Sequence, residues 1–162
     1  MKRFLLILLA LFVLLLSACE PGPRDLHYGQ EECAHCMMRL SDPSFATQLV
    51  TQHGRHYAFD SVECLAGHLE AGDIPEDDVH SLWVANFADP EGDWLRAEDA
   101  VYLQSEDLMS PMGLALTAYS DEETLASFRE EYGGEIRSWS EVRAIVYDAW
   151  IEEGQGHGMG RH

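Results

Sequence analysis

Residues 45–72 read FATQLVTQHGRHYAFDSVECLAGHLEAG, and the order of elements in this stretch sets the expected fold. Phe45–Thr51 and Arg55–Phe59 are short β-prone runs, and Gln52-His53-Gly54 between them makes a turn, so the pair predicts a hairpin. Asp60 then stands as a helix N-cap, Glu63 three residues on completes a capping pair, and Gly72 stops the helix. A strand over Val79–Phe87 closes the unit, and the run Ala88–Ala97 reads as a loop.

The same order returns further along. AVYLQS and LALTAYS read as strands joined through EDLMSPMG, after which Ser120 with Glu123 makes a second capping box. Leu125, Phe128 and Tyr132 recur at helical spacing, Gly133-Gly134 ends that helix, and Glu135–Trp139 is the closing strand. A last helix starts near Ser138 with Glu141 and buries Trp139, Val142, Val146 and Trp150. The class is therefore α+β: one ββαβ unit over residues 31–87, and a second with the C-terminal helix over 88–152.

The ends of the chain carry a different message. MKRFLLILLALFVLLLSAC places Lys2 and Arg3 before an apolar run from Phe4 to Leu16, the form of a secretory signal and too short to span a membrane comfortably. Leu16-Ser17-Ala18-Cys19 also has the form of a bacterial lipobox. It predicts a signal peptide over 1–18, a diacylglyceryl group on Cys19 and an anchor on the periplasmic face of a membrane; an ordinary cleaved signal would leave the protein loose in the periplasm. Residues 19–30, rich in Pro and Gly, read as a flexible tether. At the other end, residues 153–162 read as a flexible Gly-rich tail with His157, Met159 and His162, a disordered end or a loose metal trap.

Without its leader the chain keeps 8 basic against 29 acidic residues, a net charge of about −21, and no lysine. Such a surface repels nucleic acid. The sequence also contains no Ser/His/Asp arrangement, no phosphate loop and no convincing carboxylate pair, so it does not read as an enzyme with a small-molecule substrate.

Setting Cys19 aside leaves Cys33, Cys36 and Cys64, an odd number in an oxidising compartment, so a disulfide framework does not close. Cys33-x-x-Cys36-x-Met38 is the sharpest motif. Thiolates and a thioether are soft donors that select Cu(I), which accepts two or three of them at loose angles and is easily given up. Three other readings fit the spacing. They are a thiol-disulfide oxidoreductase using Cys33 and Cys36, a structural zinc site of Cys33, Cys36, Cys64 and His35 or His68, and a plain disulfide with Cys64 buried. Met112 and Met109, in a connection where apolar side chains have little reason to be, are candidates for a second soft half-site; His35 and Cys64 are secondary ones, Cys64 also fitting an inert core role.

Taken together, LSAC, ECAHCMM, YAFDSVECL, SPMG and YGGEIRSWSEV resemble the NosL family, copper-binding accessory lipoproteins of nitrous oxide reductase, along nearly the whole mature chain. The resemblance implies a periplasmic Cu(I) chaperone, with nitrous oxide reductase apoprotein or its membrane assembly machinery as partner. It also implies a two-part fold similar to organomercurial lyases. By position, Cys33, Cys36 and Met38 match the family's CxxCxM element and Met112 the methionine of its MG turn. Where many relatives have CPxCGM, this chain has Ala34, His35 and Met37, which implies a less constrained loop.

Overall fold

A computed structural model describes residues 21–152. The leader, Cys19 and the tail from residue 153 lie outside these residues, and with them the expected signal, lipid anchor and His/Met trap.

The elements run β1 (Thr47–Thr51), β2 (His56–Phe59), α1 (Val62–Glu70), a 3-10 turn (Glu76–Asp78), β3 (Val79–Val84), β4 (Leu95–Arg96), β5 (Val101–Gln104), β6 (Leu116–Tyr119), α2 (Glu122–Tyr132), β7 (Glu135–Arg137) and α3 (Trp139–Val146), which runs on into a π-helical turn (Tyr147–Glu152). The expected α+β order is present in both halves. Strands β2-β1-β3-β4 form one antiparallel sheet and β6-β5-β7 a second. Leu95 and Arg96, inside the expected loop, pair with Val84 and Trp83 and add an edge strand to the first sheet. Two residues show no period of their own, so only the neighbouring strand makes them one.

Both helix starts differ from the expected caps by one residue. Ser61, not Asp60, caps α1, its side chain accepting from the Cys64 amide; Asp121, not Ser120, caps α2 and accepts from Thr124. Asp60 is committed elsewhere, its Oδ1 accepting the Ser41 amide at 3.2 Å. At α3 the expected capping box of Ser138 and Glu141 is present.

Every residue of α1 except Glu70 is buried. A helix covered on all sides must sit inside the fold. One hydrophobic cluster surrounds it, drawing on Leu49, Phe59 and Val84 of the first sheet, Tyr102 and Leu116 of the second, and Val142 and Val146 of α3. A smaller cluster of Leu103, Tyr119 and Leu125 lies under α2. Trp139 and Trp150, expected in the core, are only partly covered.

The stretch read as a tether docks from Arg24 onward. The Arg24 amide donates to Gln48 Oε1 and Gln48 Nε2 returns a bond to the Arg24 carbonyl, while the Arg24 guanidinium pairs with Glu31. Gln48 is fully buried on the central strand β1, so its amide group needs these partners.

Candidate metal centre

The cysteine loop is a tight, backbone-closed turn. The Cys33 amide donates to the Met38 carbonyl at 2.7 Å and the Met37 amide to the Cys33 carbonyl at 3.0 Å. A bridge between Glu32 and Arg39 continues the closure, and Ala34 donates to Ala58 next to the end of β2. Met37 takes φ +63°, a left-handed conformation that a residue with a Cβ rarely adopts. The CPxCGM pattern has glycine at this position, a residue that takes such a bend without the cost that the Met37 Cβ carries. The looser loop expected from the substitution is not what the hydrogen bonds describe.

This turn sets Cys33 and Cys36 against the first turn of α1, where Cys64 sits. The three sulfur atoms lie within 4.8 Å of one another, and none is in a disulfide. Cys33 and Cys64 are buried, and Cys36 is half-buried. Cys64, weighed above as an inert core residue, is thus the third member of the cluster.

The thiols are electrostatically unequal. Cys33 is drawn down to about 5, chiefly by a hydrogen bond from the Cys64 thiol and then by the amides of Cys36, Asp60 and His35, against the opposing effect of burial. The Cys36 amide donates to the Cys33 sulfur at 3.5 Å. Cys64 moves up, because it donates to Cys33 and is buried, and Cys36 moves up mainly through burial. Deprotonation is therefore favoured at Cys33 over its two neighbours, and a soft donor of that kind suits a cation.

The methionines divide. Met112 packs on the cluster that contains Cys33 and Cys64. Met38 is 45% exposed at the mouth of the loop, and Met109 is 61% exposed. Met109 lines an open cleft of about 740 Å³ with Gln104, Glu135 and Arg137, a cleft lined by none of the cysteines.

His35 is outside the sulfur group and stacks on Trp150, with ring centroids 5.7 Å apart and 9° between planes. There it meets His68, centroid to centroid 6.1 Å, and with His68 and Asp73 it forms a second group of donor atoms. His68 is 6% exposed and its pKa is lowered, mainly by burial, so the ring is held neutral. Its Nδ1 lies 3.2 Å from Asp73 Oδ2, but at an angle that makes no hydrogen bond, so neither ring nitrogen has a partner. Asp73 escaped the sequence reading. Its only signal is its place just past the Gly72 stop, one turn beyond His68.

A family model described as NosL matches residues 26–146. The chain belongs to the NosL family. The fold agrees: the crystal structure of the copper chaperone NosL from Shewanella denitrificans superposes with a TM-score of 0.62 at 19% identity, over 74% of this chain and 96% of that one. Among the curated proteins none matches this sequence. Membership of the NosL family covers both sheets and all three helices, so the cysteine loop and the SPMG connection lie inside the matched region.

Proposed function

We propose that this NosL-family protein is a copper chaperone whose cargo is Cu(I), carried on the periplasmic face of a membrane through lipidated Cys19 and passed to nitrous oxide reductase or its assembly machinery. The observation that carries the reading is the set of three cysteine sulfurs within 4.8 Å, two buried and one reaching the surface. Soft thiolates suit a d¹⁰ cuprous ion, whose weak angular demands a short loop can satisfy. The name of the Shewanella denitrificans protein, a copper chaperone, supports the same cargo.

In this reading Cys33, Cys36 and Cys64 hold the ion and Met112 completes the set. The outward Met38 is placed to stay with the ion as it leaves. Release is ligand exchange: a partner's sulfur or imidazole approaches at Cys36, the exposed side, and replaces the ligands one at a time while the buried pair lets go last. In the test, a reduced form beginning after Cys19 is competed for Cu(I) against a colorimetric chelator. A Cys36→Ser variant that holds copper as tightly as the parent would sink the assignment.

The low pKa of Cys33 also favours a thiol-disulfide oxidoreductase. That chemistry needs the activated sulfur at the surface, whereas Cys33 has no solvent exposure and the accessible Cys36 is the less acidic thiol. Turnover of a disulfide substrate by the metal-free protein would reverse this preference.

A further inference from the structure

The SPMG connection between β5 and β6 is held in a shape its own sequence does not favour, and the group holding it is a buried acid next to Cys64. Ala115 adopts φ +59°, a left-handed position for a residue with a Cβ. Such a conformation lasts only where the surroundings over-determine it. Ser110 does so here. Its Oγ accepts the Ala115 amide at 3.0 Å and donates to Glu63 Oε1, and its carbonyl accepts the Gly113 amide at 3.0 Å. The Ala115 carbonyl in turn accepts the Ser105 amide at 3.0 Å.

Glu63 is an unusual anchor. It has no solvent exposure, none of the ion pairs among the described residues involves it, and its Oε2 has no hydrogen-bond partner. For stability alone an apolar pair of similar size serves as well as a half-satisfied buried acid. What the apolar pair lacks is direction. The Ser110–Glu63 bond joins two segments 47 residues apart, one carrying Cys64 in the next position and the other carrying Met112 two positions on. Met112 and Cys36 both pack, partly buried, against the core cluster that contains Cys33 and Cys64.

We propose that Glu63 and Ser110 are positioning residues for copper: their hydrogen bond fixes the span between the first turn of α1 and the SPMG turn, and so keeps the Met112 thioether within reach of the three cysteine sulfurs. This rests on the copper reading above, with Met112 as a ligand.

The test is Cu(I) competition against a chelator on detergent-solubilised full-length protein, reduced, with sulfur coordination counted by X-ray absorption. Ser110→Ala is expected to weaken Cu(I) binding about 10-fold, the scale of an outer-shell partner, and to lose one sulfur from the copper shell, as Met112→Leu does. Glu63→Gln, whose amide oxygen still accepts the Ser110 hydroxyl, is expected to bind as the parent does. In a Met112→Leu background Ser110→Ala should cost nothing more, because the ligand it positions is already gone.

Should Ser110→Ala lose its native circular dichroism, Ser110→Ala with Ala115→Gly removes the backbone strain and takes its place, with the same expected loss. Full affinity in the Ser110 variant, or an equal loss with and without Met112, overturns the proposal. If Met112→Leu binds as the parent while Cys36→Ser does not, the copper reading stands and this proposal falls. A parent that cannot compete for Cu(I) brings down both.

Discussion

The two ββα halves follow one topology, yet their helices live in different surroundings. α1 buries eight of its nine residues, while α2, eleven residues long, buries only Leu125. The first is enclosed by both sheets and by α3, and the second lies over one small sheet with its glutamates in water. Topology therefore does not choose the site. Enclosure does: a helix reached from all sides can bring its first turn against a distant loop, and the thiols collect there.

The sharpest way to break this comparison is to empty each helix in turn. Leu65→Ala and Leu125→Ala both remove a fully buried leucine and should each cost about 2–5 kcal/mol in denaturant unfolding. Only the Leu65 change should also weaken Cu(I) binding, since it alone sits beside Cys64. Equal effects on copper would mean that enclosure is not what builds the centre.

Replacing a thiol comes next. Cys64→Ser should lower Cu(I) affinity by about 100-fold, the upper scale for disturbing a metal site, with little change in folding. An unchanged affinity would return Cys64 to an inert core role. A Cys64→Ala variant tests the same residue in the metal-free, reduced protein. Thiolate absorbance of the parent should rise near pH 5, and Cys64→Ala should move that step upward because the donor to Cys33 is gone.

The sign for stability follows from the direction of the shift. A thiol whose folded pKa lies at about 5 against an ordinary value of 9.0 adds stability that is complete above pH 9 and lost as pH falls toward 5. Acid unfolding of the parent and Cys33→Ser, compared between those limits, reads this directly. The variant should have the flatter profile.

Two smaller effects mark the edges of the comparison. Asp121→Ala strips the cap of α2 and should cost about 1 kcal/mol in thermal unfolding, without touching copper. Met37→Gly relieves the left-handed strain in the cysteine loop and should stabilise the protein by up to about 1 kcal/mol, again leaving Cu(I) affinity alone. A loss of affinity in the second variant would make Met37 a ligand.

How much of this was legible depends on how local each signal is. The helix stops at Gly72 and Gly133 and the capping box at Ser138 are local, and they were read correctly. Asp60-Ser61 and Ser120-Asp121 each offer two adjacent capping residues, and at the first pair a tertiary contact chooses between them. Asp60 was ruled out by the Ser41 amide, 19 residues away.

The site shows the same divide. CxxCxM advertises itself in six residues, whereas Cys64 on a buried face looks like any small core residue. Its sulfur gains meaning only when the loop at Ala34 is pinned to Ala58. Glu63 was read as half of a capping pair, because nothing near it in sequence announces Ser110.

Gly67 sits in the middle of α1, where a glycine ordinarily weakens a helix. A Cβ built there would stand 2.9 Å from the Trp150 ring and 3.0 Å from His35 Nε2. The bare backbone is thus the floor of a shared compartment whose volume is divided among three positions. Bulk added at one must be surrendered at another, so swapping the tryptophan for a smaller ring should make alanine at Gly67 tolerable, and homologues should trade size among these positions as a sum rather than one by one.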